Sequence, residues 1–469
     1  MTQPSGTRSK QRSAQRGAVL FGLAGGMLVV AAGMLGGYYV LGTKSEARAA
    51  TSEKAASAAE PSAANKAPAA SGTLAAFLGT KVAVKIAGQT VEVTWADLGL
   101  EVDPDESARS AVSSDADLAA RGAKGTIPVR LDREKAVAKL LELKASYDRA
   151  PINAYLDLEA RQIHDDTPGK GLDVWGSLPR IESAARQGAA AVELVDVPVP
   201  AVVTKAQLGI DDISNVLGHY ETKFPVTDRD RNFNLKLAAS KVNGYVMKPG
   251  EEWSFNAVVG ERSQKMGYKI AHVITAGEMV DGLAGGTCQI STTLFGAAFF
   301  AGLDIVKTTN HSRPSAYTPL GFDATVVWPD TDLKLKNPYE FPVALRYVVA
   351  NGEAKVEILG KKRPYDKVVF ERKVLETTPY SVEERLDDEV KLDSTSIDQA
   401  GFDGYKLERF RRFYKDGKVV KSNKWTVNYK PVTEYIRRGT NPDPEAKEAV
   451  QKEPHGPKPP KSDTFSMAQ

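Results

Sequence analysis

The longest unbroken apolar stretch in the chain runs from Gly17 to Gly42 and contains no charged residue. A bilayer core needs roughly 20 helical residues, and a soluble helix would alternate with polar positions, so the pattern predicts a single membrane-spanning helix. Arg8, Lys10, Arg12 and Arg16 precede it, while the segment after it mixes both charge signs. Basic flanks stay on the cytoplasmic side, which places the bulk of the chain outside the cytoplasmic membrane. Ala47-Arg48-Ala49 has the small-x-small form of a signal cleavage site. The apolar run exceeds the usual signal core of about 7 to 15 residues, however, so a retained anchor is expected.

From Ser45 to Ser71 the chain is rich in Ala, Ser, Lys and Glu without large apolar side chains, and it reads as a flexible tether. Alternation then begins. Lys81 to Ile86 and Gln89 to Val93, separated by a Gly, read as a hairpin. Glu134 to Tyr147 and Ser177 to Gln187 read as helices, and Asp228 to Asn243 as a third. From Asp323 to Leu359 short strands dominate, and from Lys367 to Arg438 alternation resumes around an Asp416-Gly417 turn, as a small, separate β-module. The expected architecture is a multidomain α+β chain. It comprises a cytoplasmic basic tail (1–16), transmembrane anchor (17–42), linker (43–74), α+β module (75–209), second α+β domain (210–362), β-module (363–440) and a proline- and charge-rich disordered tail (441–469).

Charge changes the picture by exclusion. Lys and Arg number 62 against 59 Asp and Glu, a formal net charge of +3, so no large field marks a nucleic-acid binder. Cys288 is the single cysteine, which rules out an intrachain disulfide framework and leaves one thiol to explain.

That thiol sits in Gly285-Gly286-Thr287-Cys288-Gln289-Ile290-Ser291-Thr292-Thr293-Leu294. The glycines permit a tight approach and Thr287 is a good N-cap. Ile290, Leu294, Ala297, Ala298 and Ala301 share a helical face until Gly302. Cys288 then lies in the first turn, where the helix dipole favours thiolate. His311, in Asn310-His311-Ser312-Arg313-Pro314, and Asp323 follow in the order of a thiol catalyst: nucleophile, base and orienting carboxylate. The same residues also fit a buried cysteine behind a Gly-Gly turn, with His311 and Asp323 bonding local backbone. A metal site from His311, Asp323, Asp330 and Asp332 lacks tight ligand spacing, so no metal and no cofactor is expected.

Residues 222–359 resemble a VanW domain. The resemblance rests on Phe224-Pro225-Val226 with Arg231-Asn232, Pro249-Gly250-Glu251, Ser254-Phe255-Asn256, Gly267-Tyr268, the Gly285 to Leu294 string, His311-Ser312-Arg313-Pro314, Tyr317 and Asp323-Ala324-Thr325-Val326. Ala284 stands where that family usually has a third glycine, and Phe295 replaces its usual Tyr. Residues 75–209 are similar to the peptidoglycan-binding module that commonly precedes such domains, through Asp132 to Ala136 and Pro168 to Leu172. The β-module sits where a five-glycine-type module often follows. The resemblance implies a cell-wall partner, peptidoglycan or cell-wall peptides, which agrees with the export and membrane anchoring read from the apolar run. Its VanW domain is either a scaffold or a cysteine-dependent hydrolase or transferase built on Cys288, His311 and Asp323. Gly285, Gly286, Thr287, Gln289, Ser291, Thr292, Ser312 and Arg313 are the supporting motif residues.

Overall fold

The computed structural model describes residues 70–469 except 111, 276, 277, 453, 454, 456, 457 and 459. The basic tail, the anchor expected over 17–42 and the linker as far as residue 69 lie outside the described residues. Among the described residues, no helix is long and apolar enough to cross a membrane.

The N-terminal part is a small α+β unit. Lys81–Ile86 and Gln89–Thr94 form the antiparallel hairpin, and Ala191–Glu193 adds in parallel to the first strand. Helices Arg133–Tyr147 and Val174–Arg186 cover it, each started by an aspartate. Asp132 accepts from the N–H groups of Glu134 and Lys135, and Asp173 from that of Gly176. Val82, Val84, Trp95, Leu140 and Ile181 fill the space between sheet and helices.

The central part is organised around helix Thr287–Ala301, whose residues after Cys288 are all buried. An amphipathic surface helix would bury one stripe only, so packing must come from several sides. One side is an antiparallel sheet of Asn215–Lys223, Glu353–Gly360, Val343–Ala350 and Val246–Met247, in that order. Close approach is built into both partners. A Cβ on Gly218 would lie 2.1 Å from the backbone nitrogen of Ala301, and one on Gly296 would lie 2.4 Å from the Tyr220 ring. Helix Arg229–Val242 packs alongside, capped by Asp228.

The opposite side is closed by the C-terminal module. Its larger sheet runs Lys418–Tyr429, Gly404–Lys415, Lys367–Thr378 and Thr464–Ala468, all antiparallel. Phe370 and Phe413 belong to the same buried cluster as Phe299 and Phe322. Arg411, 1 % exposed, donates to the carbonyls of Phe299 and Leu303 at the end of the central helix and lies over the Phe299, Phe413 and Trp425 rings. A guanidinium there neutralises the negative end of the helix dipole and satisfies terminal carbonyls. A second sheet, Val382–Lys391, Glu434–Asn441 and Thr395–Gln399, extends beyond it. Asp416 and Gly417 both have positive φ, as a two-residue hairpin turn requires.

The tail expected to be disordered over 441–469 ends instead in a strand. Thr464–Ala468 pairs with Lys367–Thr378, and the Gln469 side chain exchanges hydrogen bonds with both backbone groups of His219. Prolines and charges dominate the tail, but its final strand, begun by the β-formers Thr464 and Phe465, covers an otherwise open edge.

Candidate active site

The segment before the thiol is shaped by left-handed backbone. Ala284 has φ 62° and Gly286 φ 99°. Gly286 is therefore the N-cap of the central helix, rather than Thr287 as the sequence pattern suggested. Thr287 is already helical, and its hydroxyl donates back to the carbonyl of Ala284 at 2.8 Å. The positive φ at Ala284 also explains why a glycine suits that position.

Cys288, the second residue of the helix, is half-buried. Its Sγ lies 3.2 Å from Thr325 Oγ1, 3.4 Å from the Val326 carbonyl and 3.5 Å from the Val326 nitrogen. The imidazole of His311 lies within electrostatic reach of the thiol. On the other side of that ring, Nδ1 is 2.6 Å from Asp323 Oδ2, which also accepts from the His311 backbone N–H at 2.7 Å. With Nδ1 held by the carboxylate, Nε2 is the nitrogen left for sulfur. The structure thus brings the three residues named from sequence order into one neighbourhood, with the imidazole bonded to the carboxylate and electrostatically coupled to the thiol.

Electrostatics follow from burial and pairing. Burial pushes the Cys288 thiol up, but His311, Thr325 and the Val326 N–H outweigh it and bring it down from 9.0 to about 7. For His311, burial works towards the neutral ring. Tyr317, Asp323 and the thiol oppose it and hold the imidazole well above its usual range. Asp323, 1 % exposed, is pushed up by burial and brought below the usual carboxylate range by His311 and Tyr429. The resting state these shifts favour is thiolate beside imidazolium, backed by carboxylate.

The supporting motif residues divide by what they hold. Ser291 donates to the Ala324 carbonyl at 2.6 Å, and Thr292 bonds both backbone groups of Ala324, fixing the Asp323 to Thr325 segment one turn along from the thiol. Gln289 donates to Thr222 and the Lys223 carbonyl and accepts from Arg231 at 2.6 Å, tying the helix start to the sheet. Gly285 gives its carbonyl to Asn234. Arg313 is buried with its guanidinium over the Phe402 ring, and Ser312 is exposed. Asp332 is not drawn to His311: it accepts from the Ser254 hydroxyl and the Asn256 N–H. Among the described residues, no group of three or more His, Cys, Asp or Glu is arranged to hold a metal ion.

Sequence reasoning missed Tyr429, whose hydroxyl donates to Asp323 Oδ1 from the C-terminal sheet, 106 positions away. It also missed Arg262, whose half-buried guanidinium lies in the electrostatic reach of the thiol. No local signal marks either one.

Residues 230–359, which include the thiol, imidazole and carboxylate, match the family model described as VanW like protein. The chain carries a VanW domain. Residues 91–192 before it match a family model described as "Putative peptidoglycan binding domain", and residues 370–441 after it match the G5 domain. The chain is similar to two curated proteins. One is the "Uncharacterized protein YoaR" of Bacillus subtilis (strain 168), 43 % identical over 130 residues that make up 28 % of this chain and 43 % of that protein. The other is the "Vancomycin B-type resistance protein VanW" of Enterococcus faecalis (strain ATCC 700802 / V583), 28 % identical over 144 residues, 30 % of this chain and 52 % of that protein. The chain spans about half the length of these relatives. Beyond the VanW domain, the C-terminal part is similar to the solved IgA1 protease G5 domain, at 16 % identity over 17 % of this chain and 96 % of that one, with a TM-score of 0.12.

Proposed function

We propose that the protein is a cell-envelope enzyme. Its VanW domain transfers acyl groups of cell-wall peptides through Cys288, its N-terminal module associates with peptidoglycan, and the apolar run at 17–42 anchors it in the cytoplasmic membrane. The observation that carries the chemistry is the Cys288–His311–Asp323 arrangement with a thiol brought down to about 7. In the first half-reaction the thiolate adds to an amide carbonyl. The imidazolium of His311 protonates the departing amine, and a thioester on Cys288 remains. In the second half, neutral His311 takes a proton from water or an amine as it attacks the thioester, and the thiol is released. Asp323 stays ionised throughout and holds the ring in the required tautomer. The helix N-terminus behind Cys288 favours the negative charge that develops at sulfur and at the carbonyl oxygen.

The cell-wall assignment is supported by the match over 91–192 to a peptidoglycan-binding description and by the VanW domain, whose relative is named for vancomycin resistance. It is tested by incubating the full chain with purified peptidoglycan and its released peptides. The protein is expected to sediment with insoluble wall and to change the peptide masses seen by mass spectrometry. Cys288→Ala is expected to sediment equally and change nothing. Equal turnover by Cys288→Ala removes the nucleophile. Sedimentation without any turnover by the native protein leaves the VanW domain as a scaffold, and no sedimentation removes the wall association.

A further inference from the structure

Resting on that reading of the thiol site, we propose that the C-terminal β-module is part of the site itself, with Tyr429 as the residue that positions the Asp323 carboxylate. The module grips the turn that carries Asp323 from three adjacent strands. Arg372 Nη1 donates to the Leu320 carbonyl at 3.1 Å, and Arg409 Nη1 to the Gly321 carbonyl at 3.2 Å. The Tyr429 hydroxyl accepts from the Gly321 N–H at 3.1 Å and donates to Asp323 Oδ1. The turn lies directly against the sheet. Gly321 has φ 83°, and a Cβ there would lie 2.8 Å from Leu407 of the same sheet. A fourth tie reaches the histidine side, where Asn310 donates to the Asn428 carbonyl at 2.8 Å, next to Tyr429 in sequence and next to His311 at its other end.

The division of labour is explicit at the carboxylate. Oδ2 serves His311 through its backbone N–H and Nδ1, and Oδ1 is held by Tyr429. A carboxylate fixed at one oxygen presents the other at a set angle, and the angle of Oδ2 decides where the imidazole points its second nitrogen. The charged and titratable groups facing this set are His311, Tyr317 and Cys288 on the VanW side and Arg409 and Arg372 on the sheet side. Arg409 reinforces the grip. It is 3 % exposed, stacked over Phe295 of the central helix and over Trp425 of its own sheet.

Tyr429→Phe in the full chain keeps the ring and removes the hydroxyl. The rate of Cys288 alkylation by iodoacetamide, followed by mass spectrometry across pH, is expected to move its midpoint up by on the order of one pH unit. Melting is checked alongside. Tyr414→Phe, at the opposite end of the same strand pair from Tyr429, is expected to leave the midpoint in place. In an Asp323→Asn background, Tyr429→Phe is expected to add no further shift. An unmoved or lowered midpoint in folded Tyr429→Phe overturns the proposal, as does a full extra shift on top of Asp323→Asn. Should Tyr429→Phe fail to fold, 3-fluorotyrosine at position 429 keeps ring and hydroxyl and makes a stronger donor. A midpoint moved down supports the proposal, and one that stays put overturns it. A native thiol with an ordinary midpoint overturns the enzymatic reading instead, so the two failures are distinguishable.

Discussion

Replacing His311 by alanine separates the electrostatic account of the thiol from simple accessibility. In the native site the thiol is brought down from 9.0 to about 7, with burial opposing and His311 leading the favourable contributions. Without the imidazole, burial remains, so the thiol returns to about 9 or above. At about pH 7 the native thiol is half ionised and the variant about one per cent, roughly a fifty-fold difference in thiolate. Intrinsic nucleophilicity runs the other way: a Brønsted slope of about 0.4–0.5 makes the more basic thiolate roughly six to ten times more reactive. The net expectation at about pH 7 is a five- to eight-fold slower reaction for His311→Ala with a neutral dipyridyl disulfide. At about pH 10, where both thiols are largely ionised, the variant is expected to be several-fold faster. The curves therefore cross, near pH 8 by the same arithmetic. Stopped-flow release of thiopyridone measures both limbs. A variant slower by one constant factor at every pH refutes the ion-pair reasoning, because it reports access. A native midpoint at 9 or above refutes it outright.

Two further outcomes test the packing that holds the site. Gly218→Ala places a methyl 2.1 Å from the Ala301 backbone nitrogen, where neither strand nor helix can yield, so a loss of about 3 kcal/mol or more is expected by urea denaturation; an unchanged midpoint disproves the close approach. Arg411→Met removes the cation from the end of the central helix and leaves the Leu303 carbonyl without its 2.7 Å partner, which is expected to cost about 2–4 kcal/mol in the same assay; a neutral result shows that the cap contributes little.

Much of the site was legible because its signals are local. A Gly-Gly turn, a helix and a thiol in its first turn lie within one short string, and the glycine that ends the helix is close behind. The sequence order of Cys288, His311 and Asp323 picked out three residues that the fold places near one another, although order supplies no distances. Thr287 was misplaced by one position because its hydroxyl bonds backwards to Ala284, which composition cannot reveal. The hairpin turn at Asp416-Gly417 was legible, but the burial of its sheet against the central helix was not. Alternating arginines such as Arg409 and Arg411 read as a wet strand face, whereas here they are inserted among aromatic rings. Tyr429 was out of reach for the same reason: a tyrosine ending a strand carries no mark of a partner 106 positions earlier.

The last strand sets the timetable of folding. His219 and the Gln469 side chain that bonds it are 250 positions apart. At roughly 5–20 residues per second, synthesis leaves that contact open for about 12 to 50 seconds. Tyr429 arrives late in the same interval, long after Cys288 and Asp323 have been made. A nascent chain thus holds its cysteine before the hydroxyl behind Asp323 exists, and the contact behind the carboxylate forms only once residue 429 has been made.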